Sequence, residues 1–454
     1  MVFKTIAKSA LMLCAASFPA LAADCGPLKL LNEVQLVNPT EGLRPMLPVT
    51  VNGSPRLLLL DTGGYASQLT PDVVRDLQMP TQSSALRLYN ASGNEAAKFA
   101  VTENFKFGVM TGQDRPFMVS PGSLGDLDGI FATDFMLAYD VDIDFGADRL
   151  RFFSPDHCPG NVVYWSPPAV ATVPIRMQDR FHITVPVKLD GVELNALIDT
   201  GATRTTMGLD TAKREFGLTP SSEGITKSGN VNGDPKLASY TRTFQNLSFE
   251  GIDVKVLKVL LMPDRMGSGS RDMQTENRAL RATADMKLPE LILGMDVLRH
   301  LHVYMAFKEK RFYVSAGSPR TSQSELSSLD RAISYSPNNA SLRNSRCFQR
   351  GLQKVLLEEA LQDCEAALKS NPDAPHIIDS KGLVLYQLGR YQDAQATYDE
   401  ALKLSPEMAA SLFMRGHAKR KLGDAAGGEA DINTAKAVNP DIATLFKDAQ
   451  ISQD

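Results

Sequence analysis

Pro48 to Gly64 reads PVTVNGSPRLLLLDTGG, and 138 residues further on Pro186 to Ala202 reads PVKLDGVELNALIDTGA. Pro48, Asn52-Gly53 and Asp61 fall on Pro186, Asp190-Gly191 and Asp199 at that single offset, so the two stretches are copies in register. Each copy is a β-rich run, an Asn-Gly or Asp-Gly pair that tolerates positive φ, and a second apolar run. That pattern is a hairpin delivering an aspartate at a strand end. Leu57 to Leu60 lead into Asp61, and Ala196, Leu197 and Ile198 lead into Asp199, so both strands are expected to be buried. Burying a carboxylate is costly, and a chain that does so twice at matched positions usually has a use for it.

A second block is duplicated as well. GIFATDFMLAYDVDIDFGADRLRFF, from Gly129, matches LILGMDVLRHLHVYMAFKEKRFYV, from Leu291, with Asp134 on Asp296 at an offset of 162. The second copy therefore carries 24 extra residues between its blocks. The polar stretch from Met266 is expected to hold much of the excess as a surface loop.

Paired hydrophobic-hydrophobic-Asp-Thr-Gly loops, with Leu291-Ile292-Leu293-Gly294 behind the second, resemble the pepsin and retropepsin superfamily of aspartic proteases over roughly residues 45 to 315. Ala132 departs from the pattern, standing where that family has glycine. The resemblance implies a bilobal all-β acid-protease fold, a polypeptide substrate, no cofactor and no metal. It further implies that Asp61 and Asp199 share a proton and activate a water. Gly63 and Gly201 would let backbone N–H groups reach those carboxylates, and Thr62 and Thr200 would cross-link the loops beneath them. Glycine-bearing turns containing Tyr89 and Gly93 in one half and Gly229 in the other would be flaps over the substrate, although ordinary exposed hairpins would read the same way. Neither Gly64 nor Ala202, the residue after each motif, has a hydroxyl to bond an ionised carboxylate, so a pH optimum nearer neutrality than that of stomach pepsins is expected.

After Ser315 the composition changes. Asn371-Pro372, Ser405-Pro406 and Asn439-Pro440 recur every 34 residues, a period that resembles tetratricopeptide repeats. Gly382, Ala394, Tyr398, Ala401 and Pro406 match that family's small-and-large pattern, whereas Phe348 and Gly428 occupy small positions in the flanking copies. The resemblance implies an all-α domain that binds a protein or peptide partner, with a stability or dimerisation module as the alternative. It also places Cys347 and Cys364 opposite each other on the two helices of the first repeat.

The expected domains are a signal peptide at 1–22, lobe 1 at 23–160, lobe 2 at 161–318, a polar linker at 319–337 and the repeats at 338–450. Lys4 and Lys8, the apolar run from Ala10 and the Ala20-Leu21-Ala22 site make the N-terminus a cleavable export signal, leaving no later run of about 18 apolar residues to span a membrane. A periplasmic or secreted location follows. Four cysteines then remain, and Cys25–Cys158 and Cys347–Cys364 are the expected disulfides, with buried thiols as the alternative. Apolar residues at 43%, charged residues at 22% and a net charge of -4 give ordinary globular composition and argue against a nucleic-acid partner. A catalytically inactive periplasmic binding or scaffold protein on a protease fold stands as the alternative function.

Overall fold

The structure is a computed structural model that describes residues 25–38, 44–89, 95–125, 127–178, 181–231, 237–264, 289–447, 449 and 451. The expected signal peptide, the tip containing Gly93 and the loop from Met266 lie outside these residues.

Each duplicated half folds as its own β-sheet. In lobe 1 the order is Met46–Val51, Ser54–Asp61, Gly129–Ala132, Gln68–Leu69, Met110–Val119, Glu95–Phe107 and Thr81–Tyr89, and pairing of Met46–Val51 with Glu95–Phe107 curls the sheet on itself. Lobe 2 repeats it with Arg176–Gln178, His182–Leu189, Val192–Ile198, Leu291–Leu293, Thr206–Gly208, Ile252–Met262, Ala238–Phe249 and Ile225–Asn230. The hairpin turns have the expected chemistry: Asn52 and Gly53 take φ of 48° and 80°, and Asp190 and Gly191 take 46° and 85°. Both central residues need the left-handed region, which Asn, Asp and Gly enter most easily.

The two halves share a third sheet. Its order is Leu30–Gln35, Arg149–Phe153, Asp140–Asp144, Leu301–Ala306, Arg311–Ala316 and Ala171–Pro174, three strands from each half, with the junction at Val303 opposite Ile143. Val141 and Ile143 turn into the main core, while Asp140, Asp142 and Asp144 alternate onto the other face. These carboxylates are buried but partnered: His157 Nε2 meets Asp140 at 2.5 Å, His302 Nε2 meets Asp142 at 2.6 Å, and Arg151 lies 3.0 Å from Asp142. Trp165 stacks on His302 at 4.1 Å and seals the cluster.

The C-terminal region is helical. Ala340–Gln353 with Leu357–Ser370, Pro375–Gln387 with Tyr391–Leu404, and Ala409–Lys421 with Ala425–Val438 form successive hairpins, followed by a short turn at Ile442–Leu445. Gly382 is required in the middle pair, because a Cβ there would stand 2.6 Å from the Tyr398 ring. The segment expected to be a linker instead contains the helix Ser322–Tyr335, opened by a capping box between Thr321 and Ser324. Its polar first turn hides the apolar spacing of Leu326, Leu329, Ala332 and Ile333, all buried.

The structure joins Cys25 to Cys158 with Cα atoms 4.7 Å apart, and Cys347 to Cys364 with Cα atoms 5.6 Å apart. Among the described residues no helix is long and apolar enough to cross a membrane.

Candidate active site

Asp61 ends the strand Ser54–Asp61, which runs parallel to Gly129–Ala132, and Val192–Ile198 runs parallel to Leu291–Leu293 just before Asp199. The parallel neighbours fix where each strand stops, and the following Thr-Gly turns the chain before it can re-enter the barrel. Both carboxyls thus stand at the junction of the lobes, partly buried and facing one another.

Beneath them the loops are cross-linked symmetrically. Thr62 N donates to Thr200 Oγ1 at 3.0 Å and Thr200 N donates to Thr62 Oγ1 at 3.1 Å. Thr62 Oγ1 donates to Ile198 O and Thr200 Oγ1 to Leu60 O, each at 2.6 Å. Both threonines are fully buried, and each hydroxyl both donates to a backbone carbonyl and accepts from the other loop's N–H.

Above the knot, Gly63 N donates to Asp61 Oδ1 and Gly201 N to Asp199 Oδ1, both at 2.9 Å, with Ala202 N adding a bond to Asp199 at 3.0 Å. A Cβ on Gly63 would lie 2.4 Å from the Asp199 carboxyl carbon, and one on Gly201 would lie 2.6 Å from that of Asp61. Each glycine is therefore what lets the opposite carboxyl come close.

Burial and, second to it, the charge of Asp199 push the Asp61 carboxyl up to about 8, against the N–H donors of Gly63 and Gly64. Burial raises Asp199 as well, with the Ala202 and Gly201 N–H groups opposing it. Each carboxyl acts on the other, Asp199 raising Asp61 and Asp61 lowering Asp199, so the two titrate as a pair.

A second pair of carboxylates braces the loops. In lobe 1 Ser67 donates from N and Oγ to Asp134 at 3.1 and 2.6 Å, and Ala132 N donates to Ser67 Oγ. In lobe 2 Thr205 makes the same bonds to Asp296 at 2.8 and 2.7 Å, and Gly294 N donates to Thr205 Oγ1. Asp134 and Asp296 align between the copies, but their alignment alone gives neither a role. The missed signal is that Ser67 and Thr205 keep the offset of the paired Asp61 and Asp199, 138 residues.

Tyr89 and Gly229 lie on strands rather than in turns, and residues 90–94 and 232–236 between the paired strands lie outside the described residues. Thr81–Tyr89 pairs with Glu95–Phe107, with Tyr89 opposite Glu95, and Ile225–Asn230 pairs with Ala238–Phe249, with Gly229 opposite Ser239. Across the mouth, Tyr65 packs on Phe181 at 4.4 Å and beside His182 at 6.1 Å, an aromatic bridge between the lobes that the sequence did not reveal. A separate cleft of about 550 Å³ opens where Arg299, His300 and Pro319 meet Gln349, Gln353 and Thr444 of the helical region, and neither Asp61 nor Asp199 lines it.

Residues 47–135 and 185–297 match the aspartyl protease family, and residues 380–441 match the tetratricopeptide repeat. The fold is thus an all-β double lobe, similar over those residues to the aspartyl protease family, followed by helices of the tetratricopeptide type. The crystal structure of a thermophilic TPR protein from Thermus thermophilus is similar at 18% identity and a TM-score of 0.26, over 29% of this chain and 74% of that one. Comparison with curated proteins finds no match.

Proposed function

We propose that this chain is an exported aspartic endopeptidase that hydrolyses polypeptides with Asp61 and Asp199, and that its helical repeats hold a protein or peptide partner. The observation that carries the proposal is the pair of facing carboxyls on two related, cross-linked loops, each against the other loop's glycine, with burial pushing Asp61 above its ordinary value. Amide hydrolysis by this route needs one ionised and one protonated acid side by side. The ionised member takes a proton from water as the water oxygen bonds to the carbonyl carbon, and the protonated member gives its proton to the carbonyl oxygen. When the tetrahedral species collapses, the C–N bond breaks and a proton returns to the leaving nitrogen. The roles belong to the pair, so neither aspartate has a fixed one.

Thr62 and Thr200 act by holding the loops at fixed separation, and Gly63 and Gly201 by admitting the carboxyls and donating to them. The paired hairpins are the proposed flaps, with Tyr89, Gly93 and Gly229 at or beside their tips, and they would exclude water once a peptide is seated. The cysteine pairs Cys25–Cys158 and Cys347–Cys364 fit an oxidising compartment, in keeping with the export signal.

The deciding experiment measures cleavage of casein and of an unbiased peptide library by the wild type, Asp61→Asn and Asp199→Asn. Each substitution is expected to lower turnover by on the order of 10³-fold or more, as loss of a general acid-base does. Near-wild-type rates in either variant would remove the dyad assignment.

A further inference from the structure

Lobe 1 and lobe 2 are copies, yet their outer faces differ where the strand leading to the aspartate passes. Met46 and Leu57 of lobe 1 correspond to Thr184 and Asn195 of lobe 2, while Leu59 corresponds to Leu197. In lobe 2 the Asn195 side chain is engaged by polar partners, Glu290 at 3.2 Å and Arg176 at 2.5 Å. In lobe 1 the corresponding face is apolar because something covers it.

The cover is the helix Ser322–Tyr335. Ala332 and Ile333 form one buried cluster with Val37, Met46, Leu57 and Leu59, and Ile130 packs at its edge. Leu57 and Leu59 lie on the strand that ends in Asp61, and Ile130 on the strand parallel to it, so the helix grips both strands that place this carboxyl. Leu58 and Leu60 face the main core, which leaves the strand held from its two sides. Polar anchors fix the helix along its length: Asn38 N donates to the buried Ser328 Oγ at 2.7 Å, and Arg320, just ahead of the helix, pairs with the buried Asp148 at 2.5 Å.

The same helix also serves the repeats. Arg346 bonds Asp330 at 2.8 Å and Asp363 at 2.7 Å. Two repeats later, Arg415 bonds Asp399 at 2.8 Å and Asp431 at 2.7 Å. Asp330 on Ser322–Tyr335 thus stands where Asp399 stands on a repeat's second helix. One helix is at once the first layer of the helical stack and the outer wall of lobe 1.

We propose that Ser322–Tyr335 is a positioning element of the peptidase: through Ala332 and Ile333 on Leu57 and Leu59, the helical domain sets where Asp61 stands relative to Asp199. The claim rests on the dyad chemistry proposed above. A helix that merely adds stability would leave the reaction and the titration of the carboxyls unchanged at temperatures where the protein is folded. A positioning helix changes both, because proton sharing depends on the distance between the acids.

The test compares full-length wild type, Ile333→Ala, Ile333→Leu and, as a control of matched stability loss, Leu412→Ala in the third repeat. Peptide hydrolysis is measured for kcat and KM across pH, and the dyad carboxyls are titrated by isotope-edited infrared spectroscopy, which needs no turnover. Ile333→Ala is expected to lower kcat roughly 10-fold to 100-fold, the scale of a small misplacement of a reacting group. KM should hardly change, and the upper titration should move toward lower pH as Asp199 recedes from Asp61. Ile333→Leu should restore both, and Leu412→Ala should lose thermal stability with wild-type kcat and titration. Unchanged kcat and titration in Ile333→Ala, or the same changes in Leu412→Ala, would overturn the proposal. A wild type that cleaves nothing would instead sink the peptidase function, while the titration would still decide whether the helix sets the dyad. Should Ile333→Ala fail to fold, Ile333→Val takes its place with the same outcomes in smaller measure.

Discussion

A Cβ placed on Gly64 would stand 3.2 Å from the Cβ of Ala132 and 3.0 Å from Asp61 Oδ2. In lobe 2 the same two places are held by Ala202 and Gly294, with the methyl on the other member, and a Cβ on Gly294 would stand 2.5 Å from the Arg204 backbone and 2.9 Å from Ala202 O. In lobe 1 the departure of Ala132 from the family's glycine is therefore matched by Gly64 beside the Asp61 loop, where the Ala132 methyl takes the space. Gly64→Ala should cost activity and stability by crowding Asp61, and adding Ala132→Gly should recover part of it. Coupling between neighbours of this kind is typically about 0.5–3 kcal/mol. A double-mutant cycle read by thermal unfolding and kcat checks this, and strict additivity would show that the two positions do not share space.

The knot beneath the dyad gives a second expectation. Thr62→Ala removes the Oγ1 that bonds Ile198 O and leaves the buried Thr200 N without its acceptor. An unmet buried group costs about 1–3 kcal/mol, and here it also frees one loop to drift from the other. Thr62→Ser keeps the oxygen and should retain most activity. Calorimetry together with kcat separates the two variants, and equal behaviour would assign the threonine to packing alone.

Much of this was legible because duplication keeps register. One offset carried the hairpin turns, the strand ends and both aspartates, since turn geometry and strand length fix their spacing together. What stayed hidden depends on contacts between copies or domains. His302 lies 160 residues from Asp142 and reaches it only through the shared sheet. Tyr65 meets Phe181 only across the cleft. The helix Ser322–Tyr335 passed for a linker because its serines dominate the composition, and only the partner face on lobe 1 gives its few apolar residues a purpose.

Stability should depend on pH in a direction set by the dyad. Asp61 binds its proton more tightly folded than unfolded, so between the ordinary carboxylate value and about 8 the folded state carries more protons than the unfolded one. The dyad's contribution therefore declines as pH rises through that window. Asp61→Asn removes the charge that must be buried, and should raise the melting temperature at pH 8 while changing it little at pH 4. Hydrolysis by the wild type should fall on the basic side as the shared proton is lost. Melting curves of both proteins across this range decide the matter, and parallel curves would show that Asp61 is not protonated in the folded protein.

The repeats contain a buried acid of their own. Asp379 is pushed up to about 6 by burial, opposed by the Ser411 hydroxyl, which donates to it at 2.5 Å. Near it lies the Tyr398 hydroxyl, buried and without a hydrogen-bond partner among the described residues, so ionising Asp379 leaves a charge with a single neutral donor. The sign follows that of Asp61: the folded form holds the proton longer, and the helical region loses stability as pH climbs from about 4 to 6 and stays weakened above. A shift of about two units corresponds to at most roughly 3 kcal/mol. Asp379→Asn keeps the shape and an acceptor for Ser411 without the charge, and should therefore stabilise the helical region at pH 8 by an amount of that order while leaving it unchanged near pH 4. Hydrogen exchange of the helices Pro375–Gln387 and Ala409–Lys421 at the two pH values reads the difference locally. Slower exchange in the variant at pH 8 alone supports a buried, proton-binding Asp379, and equal exchange at both values would show that the carboxylate is accommodated ionised.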